Sequence, residues 1–159
     1  MSNPESTGRH EHRMARTYEV PATPEQVWEA IATADGMTAW MVPATIDPRV
    51  GGEVTFDLGD YTSVGTVTEF SPPHRLAYAE PWPVADNMPT ANRDLSQLSP
   101  LATEFLVEST SGGSCIIRVV TSGYGAGDEW EHEFFSEMEE GWGALLDNLA
   151  VHLGRPVLR

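Results

Sequence analysis

A long amphipathic segment near the C-terminus constrains the fold of this chain more than any other feature. Residues 127–153 read GDEWEHEFFSEMEEGWGALLDNLAVHL, and their apolar side chains recur at three- and four-residue spacing, which predicts one long helix with one apolar face. That face comprises Phe135, Met138, Trp142, Leu145, Leu146, Leu149 and Leu153. The opposite face carries Glu129, Glu133, Glu137 and Glu140, which we expect to be solvated. The apolar face is too long and too aromatic to stand in water, so the helix must lie along a sheet.

Two shorter helices are predicted near the N-terminus. Thr23 is suited to be an N-cap, Pro24 to be the first helical residue, and Gln26 to close a capping box. Asp35 is a candidate cap for a second short helix over residues 36–41.

The rest of the chain follows a period of two, which is typical of β-strands. The predicted strands are residues 13–20, 44–47, 53–58, 61–70, 75–82, 101–109 and 114–122. Between the last two, TSGG makes a hairpin turn. The segment Pro83–Pro100 has no sustained period and is long for a hairpin loop, so we interpret it as a functional lid or an insertion.

Composition excludes several classes of function. The net charge is −15 and all nine basic residues are arginines, which argues against binding to nucleic acid or to an anionic membrane surface. The absence of lysine excludes a side-chain Schiff base and a P-loop.

The same composition predicts one domain in a reducing compartment. We expect a flexible tail over residues 1–12, a single domain over 13–155 and a cytoplasmic location, because there is no apolar run of membrane-spanning length and no apolar core of a secretory signal. The single cysteine, Cys115, excludes an internal disulfide and is better suited to a core position than to a nucleophile.

Metal and phosphate motifs are weak. Glu129 and His132 have the Glu-x-x-His spacing of di-iron bundles, but a second copy is missing, and His10-x-His12 falls on the predicted tail. We therefore expect no metal and no cofactor. The glycines of SGYGAGDEW lack dinucleotide-loop spacing, and acidic residues crowd the helix start, so they are interpreted as a sharp turn.

The predicted interior is rich in aromatic residues. A curved sheet that grips one long helix tends to leave a concave apolar site at its centre. Glu131 falls on the apolar side of the helix near its start. It would either point into the mouth of that cavity, where desolvation would raise its pKa, or face solvent in a frayed first turn.

A family resemblance rests on ATPEQVWEAIATADGMTAWM, GGEVTFDL, GTVTEFSPPHRLAY and EEGWGALLDNLAVHL. Together with the order of elements, they resemble the SRPBCC superfamily (START and birch-pollen-allergen-like, helix-grip fold), and within it the branch named for the activator of a heat-shock chaperone ATPase. The resemblance implies an α+β helix-grip fold: about seven antiparallel strands curved around the C-terminal helix, with a cavity for a hydrophobic molecule between them.

Three functions remain open at this point. The first is binding of a small hydrophobic or aromatic metabolite, with the Pro83–Pro100 segment as a gate. The predicted lining is Trp40, Phe56, Tyr78, Phe105, Phe134, Met138 and Trp142. The second is a polyketide cyclase/aromatase-, dehydratase- or isomerase-like enzyme, with Tyr78, Arg118, Glu131 and His132 as catalytic candidates. The third is a chaperone-regulating interaction module, and a homodimer is one assembly we consider.

Overall fold

The structure is a computed structural model that describes residues 10–84 and 90–154. Its elements follow the predicted order of a strand, two helices, a run of strands and a long helix. They are β1 (His10–Val20), α1 (Pro24–Ala32), α2 (Ala34–Trp40), β2 (Ala44–Ile46), β3 (Glu53–Asp57), β4 (Thr62–Ser71), β5 (Arg75–Glu80), β6 (Leu101–Ser109), β7 (Cys115–Gly125) and α3 (Glu129–His152).

The seven strands form one antiparallel sheet in the order β1-β7-β6-β5-β4-β3-β2. Consecutive strands from β2 to β7 are neighbours, and β1 crosses over to pair with β7. The sheet curves around α3, which confirms the predicted α+β helix-grip architecture. In the described chain, no helix is both long enough and apolar enough to cross a membrane.

The local signals at α1 are confirmed in detail. The Thr23 hydroxyl accepts the Gln26 backbone N–H at 3.1 Å, and the Gln26 side chain accepts the Thr23 backbone N–H at 2.9 Å. The second helix begins one residue earlier than its predicted cap. Its N-cap is Thr33, whose hydroxyl accepts the Gly36 N–H at 2.9 Å, and Asp35 lies inside the first turn.

Two boundaries differ from the sequence prediction at one end of the molecule. The first strand begins at His10, so residues 10–12 belong to the sheet rather than to the predicted tail; residues 1–9 lie outside the described residues. The last strand continues to Gly125, because β1 and β7 pair without a break from His10 opposite Gly125 to Val20 opposite Cys115. Each extension supplies hydrogen-bond partners to the other.

The core lies between the inner face of the sheet and α3. Cys115 is fully buried within it, as predicted, and Glu129, Glu133 and Glu140 are exposed on the outer face of α3. A second, smaller apolar cluster joins Trp82 and Leu101 to Phe134 and Phe135 at the N-terminal half of the helix. The main core and this cluster are both in contact with Met138.

Candidate functional site

A cavity of about 380 Å³ separates the middle of the sheet from α3. Strands β3 to β7 supply one wall and the middle of the helix supplies the other. The lining residues are Met41, Phe56, Leu58, Tyr61, Ser63, Tyr78, Glu80, Pro83, Leu101, Thr103, Thr121, Phe134, Glu137, Met138, Gly141, Trp142 and Leu145. Most of the lining is therefore apolar or aromatic, with a few polar groups on the sheet side. On the helix side Glu137, which was predicted on the solvated face of α3, also borders the cavity.

Five of the seven predicted lining residues border this cavity, namely Phe56, Tyr78, Phe134, Met138 and Trp142. Phe56 and Tyr78 reach it through the period of two of their strands, and Met138 and Trp142 through the helical stripe. Phe134 is outside the predicted stripe, but it is four residues before Met138 and so lies on the same side of α3. Their role in binding stays a prediction.

The other two predicted residues, Trp40 and Phe105, lie behind the cavity wall. The Trp40 indole N–H donates to the Ala30 carbonyl at 2.8 Å, and its ring centroid is 6.2 Å from that of Trp142. Phe105 is 1% exposed and its ring centroid is 6.5 Å from that of Trp142. Both residues support Trp142 from behind.

The polar part of the cavity centres on Glu80. Burial raises the pKa of the Glu80 carboxyl above its ordinary value, and a hydrogen bond from the Ser63 hydroxyl offsets only part of that effect. Burial, together with the charge of Glu80, raises the pKa of Tyr61 to about 12. The pKa of Tyr78 is also raised, first by burial and then by Glu80. At neutral pH both phenols therefore keep their protons and can donate hydrogen bonds.

Glu80, Tyr61 and Ser63 were not among the lining residues predicted from the sequence. A signal was available for Glu80, because it lies two residues after Tyr78 on β5 and so shares its face of the strand. Ser63 likewise falls on the buried alternation of β4. Tyr61 comes just before β4 and is two residues before Ser63, so the same alternation in the predicted strand 61–70 could have indicated it.

A second polar group in the cavity wall is already satisfied. The Thr103 and Thr121 hydroxyl oxygens lie 3.0 Å apart, and the Trp142 indole N–H donates to the Thr121 hydroxyl at 3.2 Å. This chain fixes the Trp142 ring against the sheet. Glu80, Tyr61 and Tyr78 are the polar lining groups whose pKa values are raised.

Of the four predicted catalytic candidates, only Tyr78 lies in the cavity. Arg118 is exposed on the outer face of β7, and His132 is exposed on the first turn of α3. Glu131 is buried, at 1% exposure, so the alternative of a frayed solvent-facing residue is wrong. It lies outside the cavity lining, however, and contacts His12 and the turn before α3.

Glu131 has a well-defined set of hydrogen bonds. Its carboxylate lies 2.7 Å from His12 Nε2 and accepts the backbone N–H groups of Gly127 and Ala126 at 3.0 and 3.1 Å. Burial acts to raise the pKa of Glu131, but the His12 contact and the two backbone donors outweigh burial, and the pKa lies below its ordinary value. The predicted rise is therefore wrong, because the sequence pattern gives no sign of these three donors.

The fold and the cavity together define a helix-grip protein of the SRPBCC type. The family model described as Activator of Hsp90 ATPase homolog 1-like protein matches residues 21–154, and the chain belongs to this family. A comparison with curated proteins found no match.

Solved structures share the fold at low identity. Protein MLL2253 from Mesorhizobium loti has a TM-score of 0.72 and 16% identity, covering 92% of this chain and 100% of its own. The Aha1 dimer from Colwellia psychrerythraea has a TM-score of 0.63 and 18% identity, covering 89% and 96%. DynU16, a protein of the dynemicin biosynthetic locus, has a TM-score of 0.67 and 17% identity, covering 89% of this chain and 46% of its own.

Proposed function

We propose that this protein binds a small hydrophobic or aromatic metabolite in the cavity between the sheet and α3. The observation that carries the proposal is the cavity itself. Its volume of about 380 Å³ falls within the range of small-molecule sites, roughly 300–1,000 Å³. Apolar burial supplies most of the affinity, at about 25 cal/mol per Å² of surface removed from water.

The polar groups define the ligand further. Glu80 is an acceptor when ionised, and the Tyr61 and Tyr78 hydroxyls are donors throughout the physiological range. A ligand with one hydroxyl on an apolar ring system would satisfy this arrangement. The segment Pro83–Pro100 borders the cavity through Pro83, and its role as a gate stays a prediction, since residues 85–89 lie outside the described chain.

The first test is native mass spectrometry of the purified protein, before and after denaturing extraction, to detect a molecule that co-purifies. The second uses two probes, 2-naphthol and naphthalene, with binding followed by tryptophan fluorescence. We expect Met138→Trp to block both probes because it fills the cavity. Val151→Trp, on an exposed part of the same helix, is the matched control and should leave binding unchanged.

Glu80→Leu separates the polar contribution from the apolar one. We expect it to weaken 2-naphthol binding about tenfold, as one lost hydrogen bond to a charged group predicts, and to leave naphthalene binding nearly unchanged. Equal binding of both probes by wild type and Met138→Trp would refute the cavity as the site.

An enzyme that moves protons is the second candidate, because three titratable groups with raised pKa values line one cavity. A carboxyl with a raised pKa is suited to accept and return a proton near neutrality, and a phenol can stabilise an enolate oxygen. In this alternative Glu80 takes a proton from carbon while Tyr61 or Tyr78 donates a hydrogen bond to the oxygen. The test is deuterium exchange into 2-tetralone in D₂O, followed by NMR, which Glu80→Gln should abolish.

Regulation of a chaperone ATPase is the third candidate, and the description of the family favours it. The acidic surface would then provide the docking face. In this function the protein would act as a homodimer, as the structurally similar Aha1 from Colwellia psychrerythraea is a dimer. Stimulation of a purified Hsp90 ATPase by wild-type protein, preserved in Met138→Trp, would support this function over ligand binding.

A further inference from the structure

Three of the five histidines of the chain meet where β1 runs beside the first turn of α3. The ring centroids of His10 and His12 lie 4.5 Å apart, those of His10 and His132 4.8 Å apart, and those of His12 and His132 5.0 Å apart. One nitrogen from each ring lies within 4.8 Å of the other two. Strand pairing and helix docking bring these rings together, although His132 is 120 residues away from His12 in the sequence.

His12 is the fixed member of this triangle. It is 4% exposed, its ring stacks on Phe135 at a centroid distance of 4.9 Å and an interplanar angle of 21°, and its Nε2 contacts Glu131 at 2.7 Å. Because the Glu131 carboxylate also accepts two backbone N–H groups, it acts as the acceptor and His12 Nε2 as the donor. Nδ1 is then the nitrogen of His12 that remains free to bind a ligand.

A histidine held by a carboxylate, as His12 is held by Glu131, is a usual feature of metal-binding sites. A ligating imidazole usually donates its other N–H to a carboxylate, which fixes the ring and its tautomer. Here Glu131 performs that role from the same turn of α3 that carries His132. From the sequence we expect no metal at the Glu129-x-x-His132 pair, and Glu129 is exposed and outside the histidine cluster. The carboxylate that contacts the cluster is Glu131, the residue before His132 in the sequence.

The glycine-rich turn makes room for Glu131. A Cβ atom at Gly125 would lie 2.3 Å from Glu131 Oε1, so a side chain at that position would displace the carboxylate. Gly125 pairs with His10 across the two strands. The glycines of SGYGAG fit no phosphate-binding pattern. At least one of them, Gly125, leaves the space that the Glu131 carboxylate occupies.

The spacing of the rings suits a transition metal after a small adjustment. Zinc–nitrogen bonds are about 2.0–2.1 Å, which places tetrahedral nitrogens roughly 3.4 Å apart. The observed separations reach 4.8 Å, and His10 and His132 are both exposed, so rotation of their rings can close the difference. A cleft of about 330 Å³ adjoins the three rings and leaves room for a water molecule as a fourth ligand.

We propose that His10, His12 and His132 bind one divalent transition-metal ion, with zinc as the first candidate and Glu131 as the residue that orients His12. Three imidazoles are a ligand set that suits zinc, copper, nickel and iron. The ion would tie β1 to the start of α3. The site lies on the other side of Phe134 and Phe135 from the ligand cavity, so it is independent of the function proposed above.

The test uses the full chain without a histidine tag, stripped with a chelator and titrated with Zn²⁺ by isothermal calorimetry. We expect saturable binding of one ion per chain and a rise in the melting temperature, because an ion that binds only the folded state stabilises it. The double variant His10→Ala/His132→Ala should abolish both effects. Both rings are exposed, so the variant should fold, and circular dichroism checks that it does.

The remaining two histidines provide the matched control. His74 and His152 lie outside the cluster, and His74→Ala/His152→Ala should bind zinc as wild type does. Glu131→Gln should weaken zinc binding about 10- to 100-fold if Glu131 orients His12. Absence of saturable binding in wild type, or binding that persists in His10→Ala/His132→Ala, would overturn the proposal.

Discussion

Two glutamates of the interior, the half-buried Glu80 and the fully buried Glu131, have pKa values displaced in opposite directions. Glu80 faces the cavity, and its pKa is raised by burial. Glu131 faces His12, and its pKa is lowered even though burial opposes the change. The residue type is the same and burial acts to raise both pKa values, so the difference must come from the hydrogen-bond donors around each carboxyl.

The donor counts differ clearly. Glu80 receives a hydrogen bond from the Ser63 hydroxyl, whereas Glu131 receives three, from the His12 ring and two backbone N–H groups. A carboxylate with three donors is stabilised as an anion and is a structural element of its corner. A carboxylate with one donor beside empty space has acceptor capacity left for a guest or a proton. The comparison therefore favours a structural role for Glu131, and it leaves Glu80 available for the ligand binding proposed above.

The largest expected effect comes from removing the well-satisfied carboxylate. Glu131→Ala leaves His12 and two backbone N–H groups without their acceptor in a buried place, so we expect a loss of about 3 kcal/mol in the free energy of unfolding. Urea denaturation measures it. Glu129→Ala, an exposed position in the same turn, is the control and should change stability by less than about 0.5 kcal/mol. A similarly small loss for Glu131→Ala would contradict the structural role assigned to Glu131.

A smaller effect is expected at the cavity. Ser63→Ala removes the hydroxyl that donates to Glu80, and we expect a loss of about 1 kcal/mol at neutral pH, measured in the same way. Ser109→Ala, at an exposed strand end, is the control. If Ser63→Ala proved as costly as Glu131→Ala, the two regions could not be distinguished by donor count.

The smallest expected effect is a difference in pH dependence. The raised pKa of Glu80 contributes stability that is fully present below its unfolded value of about 4.5 and is lost as the pH rises through the folded pKa. The stability of Glu80→Gln relative to wild type should therefore increase as the pH rises from 4.5.

Glu131 should show the opposite slope. Its lowered pKa contributes stability that is present above the unfolded value and is lost as the pH falls through the folded pKa. The disadvantage of Glu131→Gln should therefore shrink as the pH is lowered below 4.5. Unfolding free energies of both variants and wild type across pH 3–8 test the pair, and parallel slopes for the two variants would contradict the assignment.

Features set by local periodicity were predictable from the sequence. The capping box at Thr23 depends on two residues three apart, and the apolar stripe of α3 depends on helical spacing, so both were found. The five cavity-facing residues named earlier were found for the same reason. These signals need no knowledge of what lies across the fold.

Features that depend on distant partners were missed. The helical position of Glu131 left burial and exposure both open, and it could not show that β1 would place His12 beside it. His10 was assigned to a tail because its strand character comes from pairing with Gly125, which is 115 residues later. Glu80 lies on the same face of β5 as Tyr78, but only the assembled sheet shows that both side chains border the cavity.

The pairing of β1 with β7 has a consequence for synthesis on the ribosome. In the described chain β1 pairs with β7 alone, so the first strand emerges early and must wait until residues 115–125 have left the exit tunnel before its backbone finds its partners. Because chain closure over such a span is entropically slow, β1 should be the last strand to join the sheet.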